Sequence, residues 1–227
     1  MQALHNDPVQ QTGVIELEDT NLIPFLPARK RPWNKGKLTG QKQALQPKHV
    51  CAIRTRLQLA NKIRDLALFN LAIDSKLRGC DVVRLLAEEI APNDLCVDRA
   101  TIRQRKTSRP VRFEITEQTR QSLQVHLTAR RHQQSPYLFP NCSNPYAHLS
   151  TRQYARLVSG WVGSIGLDKT LYGTHSLRRT KATLIYRRTG NLRAVQLLLG
   201  HTKIESTVRY LGVEVDDALA LSEQVDV

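Results

Sequence analysis

The sequence lacks any long uninterrupted apolar segment. None of its apolar runs approaches the roughly 18 to 20 uncharged residues that a membrane-spanning helix requires, so we expect no membrane partner. The N-terminus also lacks the basic and then apolar pattern of a secretory signal peptide. These two absences predict a soluble cytoplasmic protein.

The sequence also has little that binds metals or nucleotides. Its four cysteines are widely spaced and form no Cys-x-x-Cys pair, which argues against a zinc knuckle or a disulfide framework. It contains no cluster of carboxylates suited to Mg²⁺ and no Gly-x-x-x-x-Gly-Lys-Ser/Thr loop for a nucleotide. We therefore expect no metal ion and no cofactor. Chemistry on a phosphate group would have to use Arg, Lys, His and a hydroxyl group.

Acidic residues are scarce over most of the chain. The 227 residues include 34 Lys or Arg against 20 Asp or Glu, which gives a formal charge of +14. Between residues 118 and 204, 13 basic residues stand against one acidic residue, Asp168. Such a stretch favours a nucleic-acid partner, because each phosphate that is neutralised releases condensed counterions. The last 17 residues contain five acids and no base, so we expect this tail to cover a basic surface.

Composition predicts three parts of the chain. Residues 1–46 are expected to form an extended, basic, Pro-containing arm, residues 47–210 a catalytic domain, and residues 211–227 the acidic tail. Apolar residues at helical spacing dominate the middle part, and one short alternating stretch interrupts them. We expect a mainly α fold with a small antiparallel β-sheet, of the α+β class.

Local signals predict where several elements of the middle part lie. Asp81 suits the N-cap of a helix over residues 81–88, and a short strand is expected at 95–97. Alternation over 111–115 predicts a further strand, which leaves a basic hairpin tip at 103–109.

Two short helices are expected near the C-terminal end. Asn191 suits the N-cap of a helix over 192–199. Thr202 and Glu205 have the spacing of a capping box, which predicts a helix over 203–210.

Residues suited to acting on a phosphate occur in order around these helices. A DNA-cutting site without a metal needs a nucleophile, cations that hold the charge of the transition state, and an acid for the leaving oxygen. His175 and Arg178 lie three residues apart at the start of a predicted helix, where one anion can contact both. His201 lies at the junction of the two short helices, and Tyr210 lies at the far end of the second, in a position suited to a nucleophile.

This order of residues resembles the tyrosine recombinase, or phage integrase, family, whose catalytic domain carries Arg, Lys, His-x-x-Arg, His or Trp, and Tyr. The resemblance covers about residues 50–215 and is most specific over 174–210. By the same resemblance Arg78, in Leu-Arg-Gly-Cys-Asp, matches the first arginine, and Asp81 matches the acidic residue that supports it. Lys106, in Arg-Gln-Arg-Lys-Thr, matches the lysine of the β-hairpin.

The resemblance implies a covalent mechanism. Tyr210 would attack the scissile phosphate and form a 3′-phosphotyrosine, while Arg78 and Arg178 hold the non-bridging oxygens. Lys106 would protonate the departing 5′-oxygen. Because the covalent bond conserves the phosphodiester energy, religation needs no ATP, and the resemblance implies no metal.

The two histidines complete the implied set of catalytic residues. His175 would assist proton transfer at the phenol, and His201 would donate a hydrogen bond to the phosphate. Candidates for contacting DNA are the basic residues of the arm, of the hairpin and of the helix after Arg178. They are Arg29, Lys30, Arg31, Lys35, Lys37, Arg103, Arg105, Arg109 and Arg179.

The chain resembles the short members of the family, such as fimbrial-switch invertases, which lack the usual N-terminal core-binding domain. The resemblance implies double-stranded DNA as partner, a homotetramer on that DNA, and accessory DNA-bending proteins, in the cytoplasm at the nucleoid. The arm either wraps DNA or is a plain disordered leader, and the tail docks on its own domain or on a neighbouring protomer. Two other functions stay open: a type IB topoisomerase-like enzyme, and a DNA-binding regulator that kept the fold without the chemistry.

Overall fold

The computed structural model describes residues 41–131 and 134–212. Within these ranges the chain is mainly helical with one two-stranded antiparallel sheet, which confirms the predicted fold class. None of the helices in these ranges is long and apolar enough to span a membrane. The predicted arm up to residue 40 and the predicted tail from residue 213 lie outside the described residues. The elements are α1 Pro47–Leu59, α2 Ile63–Ser75, α3 Gly79–Val82, α4 Ala87–Ile90, β1 Arg99–Arg103, β2 Pro110–Glu114, α5 Glu117–Ala129, α6 Thr151–Ser164, α7 Thr174–Thr189, α8 Leu192–Leu199 and α9 Ile204–Leu211.

Helix α2 forms the centre of the main hydrophobic core. All of its residues from Ala67 to Ser75 are buried, and the helix packs against α1, α5 and α7. Phe69 meets Trp161 of α6 edge to face, with ring centroids 5.6 Å apart. Lys76 ends the helix in the left-handed conformation, at φ 55°. The chain then leaves the core directly into the loop that carries Arg78.

A buried carboxylate joins α2 to α5 and α7. Asp74 Oδ2 accepts hydrogen bonds from the Thr116 N–H at 3.0 Å and from the hydroxyls of Thr116 and Thr119, both at 2.6 Å. Asp74 Oδ1 accepts from Lys181 Nζ at 2.8 Å. Burial acts to raise the pKa of Asp74, but the hydrogen bonds from Lys181 and the two threonines hold it below its ordinary value.

Strands β1 and β2 place one face on the core and the other in solvent. Ala100 pairs with Phe113 and Ile102 with Val111, and these four side chains are buried. The alternate residues of both strands are exposed, as the predicted alternation requires. A tight hairpin turn, residues 104–109, joins the strands and extends beyond the sheet.

The predicted helix over residues 81–88 is wrong. The structure has the short α3 there, ending at Val82, and an irregular chain up to α4. The reason is long-range pairing: the Leu85 carbonyl accepts from the Leu138 N–H at 2.7 Å, and the Ala87 N–H donates to the Pro136 carbonyl at 2.8 Å. These tertiary hydrogen bonds replace the helical ones that the local apolar pattern favours.

One other predicted helix has the observed bounds, whereas a predicted strand and a predicted capping box are absent from the described residues. Helix α8 spans Leu192–Leu199 as predicted, and Asn191 Oδ1 caps it by accepting from the Ala194 N–H at 2.9 Å. The residues 95–97 form no strand, and β1 begins at Arg99 instead. Helix α9 has Lys203 at its N-cap without a side-chain hydrogen bond, so the predicted capping box is wrong.

The last six residues of the predicted arm, 41–46, lie against the helical domain. Leu45 is buried, and its N–H donates to the Thr180 hydroxyl at 3.0 Å. The Gln41 side chain donates to the Arg209 carbonyl. Residues 41–46 therefore pack against α7 and α9, the helices that carry Arg178 and Tyr210.

Helices α7, α8 and α9 share a second, smaller hydrophobic cluster. Its buried members are Ala182, Val195, Leu199 and Leu211. The ring of Tyr210 packs against this smaller cluster. Leu77, which precedes Arg78, belongs instead to the main core.

Candidate active site

Arg178 is a buried cation with a free donor. Only 2% of it is exposed, although it lies within the first two turns of α7. Its Nη2 donates to the Leu199 carbonyl at 2.8 Å and lies 3.4 Å from His201 Nε2. Its Nη1 is buried and has no hydrogen-bond partner among the described residues. A guanidinium is always charged and only donates, so this free donor is suited to an anion such as phosphate.

Arg78 lies across from Arg178 and is linked to it through an amide. Arg78 is the N-cap residue of α3, and its Nη1 donates to Gln104 Oε1. Gln104 Nε2 donates to the Leu199 carbonyl at 3.3 Å, which is the same carbonyl that Arg178 contacts. The two arginines of the predicted site are therefore linked through Gln104 and the Leu199 carbonyl.

Sequence reasoning missed Gln104. It is the one uncharged side chain within Arg-Gln-Arg-Lys, residues 103–106, and this is the only signal that could have marked it. The structure buries it to 1% exposure, whereas Arg103, Arg105 and Lys106 around it are exposed.

Asp81 joins the hairpin turn to the helix that follows Arg78. It is 5% exposed, and its Oδ1 accepts from the Arg105 N–H at 3.0 Å. Lys106 follows directly and is exposed on the turn. Asp81 and Gln104 thus hold the base of the turn from two sides, which fixes where the backbone of Lys106 lies.

His201 follows the C-terminus of α8. Its Nε2 faces Arg178, which can only donate, so Nε2 is the acceptor and the ring proton is on Nδ1. That Nδ1 lies 3.0 Å from the Thr207 hydroxyl, to which it donates. Burial, followed by the charges of Arg178 and Arg78, lowers the pKa of His201 to about 4. The imidazole is therefore neutral at pH 7.

Tyr210 lies against three of the predicted site residues. Its ring is edge-on to His201, with centroids 5.4 Å apart, and the guanidinium carbon of Arg178 lies 5.7 Å from its centroid. Its hydroxyl donates to the backbone carbonyl of His175 at 3.4 Å. Burial raises the pKa of Tyr210 to about 12, although the charges of Arg178 and Arg179 act to lower it.

His175 is exposed at the first turn of α7, among cations. Burial of part of its ring lowers its pKa, and the charges of four cations lower it further. These four are Arg178, Arg78, Arg179 and Lys106. The hairpin lysine thus acts electrostatically on the same histidine as both arginines.

Arg179, a predicted DNA contact, lies beside the tyrosine. Its guanidinium carbon is 5.6 Å from the ring centroid of Tyr210, a cation–π distance. Its Nη1 donates to the Lys42 carbonyl at 2.8 Å and its Nη2 to the Leu211 carbonyl at 3.4 Å. Arg179 therefore ties residues 41–46 to the end of α9.

The remaining predicted DNA contacts differ in their settings. Arg103 Nη1 donates to the Ser108 carbonyl at 2.8 Å, across the hairpin turn. Arg105 and Arg109 are exposed on the same turn. The basic residues of the arm, Arg29 to Lys37, lie outside the described residues. In the described part of the chain, no three His, Cys, Asp or Glu side chains come together as metal ligands.

Sequence comparison matches the chain to one protein family and to known recombinases. Residues 43–216 match the sequence profile of the phage integrase family. The probable integrase/recombinase YoeC of Bacillus subtilis is 27% identical over 157 residues, which are 69% of this chain and 82% of that protein. The tyrosine recombinase XerD of Brucella suis is 32% identical over 112 residues, 48% of this chain and 36% of that protein.

Solved structures show the same fold. The crystal structure of XerA recombinase superimposes with a TM-score of 0.67 at 18% identity, over 82% of this chain and 65% of that chain. The XerH recombinase bound to its difH substrate gives 0.64 at 17% identity, over 79% of this chain and 53% of that chain. This chain therefore spans less than two thirds of either recombinase. Because the family profile covers well over half of its residues, the chain belongs to the phage integrase, or tyrosine recombinase, family.

Proposed function

We propose that this chain is a site-specific recombinase that cuts and rejoins double-stranded DNA through a covalent bond to Tyr210. One observation carries the proposal. The ring centroid of Tyr210 lies 5.7 Å from the guanidinium carbon of Arg178 and 5.4 Å from the ring centroid of His201, although the three residues come from separate helices and loops. Gln104 joins Arg78 to the same group.

The scissile phosphate binds between Arg78 and Arg178. The free Nη1 donor of Arg178 and the planar fork of Arg78 suit the two non-bridging oxygens, which accept bidentate hydrogen bonds. Burial and the charge of Arg78 both act against the cationic form of Arg178 in the free protein. A bound dianionic transition state offsets these unfavourable terms, which is the differential stabilisation that catalysis needs.

The covalent step exchanges one phosphate ester for another. The Tyr210 oxygen bonds to phosphorus as the bond from phosphorus to the 5′-oxygen breaks. The phenol proton passes to His175, whose lowered pKa keeps its ring neutral and able to accept. Lys106 gives a proton to the 5′-oxygen. Arg103, Arg105 and Arg109 cannot replace it, because a guanidinium does not release its proton.

Religation reverses these steps. A 5′-hydroxyl attacks the phosphotyrosine, and Tyr210 leaves as the phenol. One phosphodiester is formed for each that is broken, so no ATP is consumed. His201 stabilises the phosphate by hydrogen bonding, for which its proton must move to Nε2 or a second proton must bind there when the anion arrives.

Double-stranded DNA is the proposed partner. The +14 charge favours it, and family relatives in the structural comparison are bound to DNA: XerH to difH, and the Tn1549 integrase to transposon end DNA. The basic arm, the exposed hairpin arginines and Arg179 are the proposed DNA contacts. A homotetramer on DNA, accessory bending proteins, exchange of the tail between protomers, and a cytoplasmic, nucleoid location complete the proposal.

The test is covalent capture. A duplex site is first selected from a random library by binding to the full chain, and a nicked version of that duplex then traps the cleaved strand. Wild type is expected to form an adduct that survives denaturing gel electrophoresis, and Tyr210→Phe to bind the duplex without forming it. Tyr186→Phe is the matched control, since Tyr186 packs against the same smaller cluster as Tyr210, and it is expected to form the adduct.

Three results would contradict the proposal. Wild type that binds the site but forms no adduct would indicate a regulator. An adduct that persists in Tyr210→Phe would show that another residue is the nucleophile. Relaxation of a supercoiled plasmid that lacks the selected site would indicate a topoisomerase-like enzyme.

A further inference from the structure

A buried amide lies between the two arginines of the site. Gln104 precedes the hairpin turn and is 1% exposed. Its Oε1 accepts from Arg78 Nη1 and from the Thr107 hydroxyl, the latter at 3.0 Å. Its Nε2 donates to the Leu199 carbonyl at 3.3 Å, and this carbonyl also accepts from Arg178 at 2.8 Å.

The chemistry of this linkage suits an amide. An arginine only donates hydrogen bonds and a backbone carbonyl only accepts them, so a residue joining the two must accept at one end and donate at the other. Glutamine does both without a charge. A carboxylate has no donor, and an apolar side chain has neither group.

A neutral linker also preserves the charge of the arginines. Among the salt bridges of the described residues, none involves Arg78 or Arg178. Gln104 therefore orients Arg78 without neutralising it, whereas a glutamate there would compete with the phosphate for the same guanidinium.

The backbone is shaped to let this contact form. Gly200 follows Leu199 at φ +65°, a conformation that side chains disfavour. A Cβ at this glycine would lie 2.5 Å from Val111 Cγ2 and 3.2 Å from Gln104 Nε2. The glycine thus lets the end of α8 approach the hairpin closely enough for the amide to reach the Leu199 carbonyl.

From these contacts we infer that Gln104 is a positioning residue that holds Arg78 in register with Arg178 for the scissile phosphate. This inference rests on the proposed function. Gln104 does not touch the phosphate itself. It acts through Arg78, which it contacts directly.

The first test is single-turnover cleavage of the selected nicked duplex at saturating protein. Gln104→Met keeps the length of the side chain and removes both hydrogen-bonding groups. We expect cleavage to slow by about 10- to 100-fold, the size of effect that a misplaced catalytic group produces, while affinity for the duplex stays at the wild-type value. The matched control is Asn70→Leu, which removes another buried amide outside the site, bonded to Arg54 and Ser122, and is expected to cleave like wild type.

The second test is a double-mutant cycle with Arg78→Lys, which keeps the charge but removes the planar fork. If Gln104 acts through Arg78, adding Gln104→Met to Arg78→Lys slows cleavage much less than it slows the wild type. Equal slowing in the two backgrounds would overturn the inference, and so would a Gln104→Met protein that cleaves like wild type.

A further variant covers the case in which Gln104→Met does not fold. Gln104→Glu keeps the size and the acceptor oxygen but, when ionised, pairs with Arg78 and loses the donor. Because that pairing holds the pKa of the carboxyl below its ordinary value of about 4.3, the variant stays ionised at pH 7 and is expected to cleave more slowly than wild type. A Gln104→Glu protein that cleaves like wild type would overturn the inference. Wild type that forms no adduct would instead refute the proposed function, so the two failures are distinguishable.

Discussion

Replacing Asp74 by alanine is expected to lower the free energy of unfolding by about 3–5 kcal/mol, the usual effect of removing one partner from a buried ion pair. The structure shows why the effect is large. The carboxylate is 3% exposed and accepts from one backbone N–H, two hydroxyls and Lys181. In the variant the Thr116 N–H loses its acceptor, and the acid left to Lys181 among the described residues is Glu114, which is about half exposed.

The expected loss in the free energy of unfolding is large relative to the total stability of a domain. Domains are stable by about 5–15 kcal/mol, so Asp74→Ala is expected to remove a large fraction of the total. Urea unfolding followed by circular dichroism at 25 °C measures the difference. The control is Glu117→Ala on α5, whose carboxylate pairs with Arg120 at the exposed surface and contributes no more than about 1 kcal/mol.

Lowering the pH should remove the stabilisation that the Asp74 carboxylate provides. The folded pKa of Asp74 lies below its ordinary value of 3.8, so the stabilisation is present above about pH 4 and disappears as the pH falls through the lowered folded value. The stability difference between wild type and Asp74→Ala should therefore shrink below about pH 4. A difference of less than about 1 kcal/mol at pH 7 would refute the reasoning, because it would mean that the carboxylate is as well solvated as a surface acid.

Two further predictions concern the site. In NMR titrations of the free protein, the ring of His201 should have a midpoint near pH 4, since burial and the charges of Arg178 and Arg78 oppose protonation; a midpoint near 6.5 would contradict the described packing. Lys106→Ala should cleave ordinary DNA slowly but recover when sulfur replaces the bridging 5′-oxygen, because a thiolate leaves without a proton. Arg178→Ala is the control that should not recover, and equal recovery would contradict the acid role of Lys106.

The candidate catalytic residues could be proposed from the sequence because the chemistry restricts residue types. Few side chains can attack a phosphate, hold its charge or supply a proton, and their order in the chain was visible without coordinates. Their local elements were also readable: Asn191 caps α8 where expected, and the alternation at 111–115 gives β2. Each of these signals is local in sequence.

The residue that we infer to position Arg78 could not be predicted in this way. An amide between Arg103 and Arg105 has the sequence signature of an exposed hairpin tip. It is buried only because Gly200, 96 positions later, lets α8 approach the turn. The helix predicted at 81–88 is lost for a similar reason, since backbone groups of residues 136–138 pair with that segment. Contacts between distant parts of the chain decide both cases.

The candidate site residues are scattered in sequence because they come from the two hydrophobic clusters of the fold. A phosphate that must be held by two cations and attacked by a phenol has to be approached from more than one side. Arg78 follows Leu77 of the main core, and Tyr210 packs against the smaller cluster of α7 to α9. Arg178 lies on α7, between Leu177 of the first cluster and Ala182 of the second. The proposed phosphate site therefore lies at the junction of the two clusters, and the hydrogen bond from Gln104 to the Leu199 carbonyl crosses this junction.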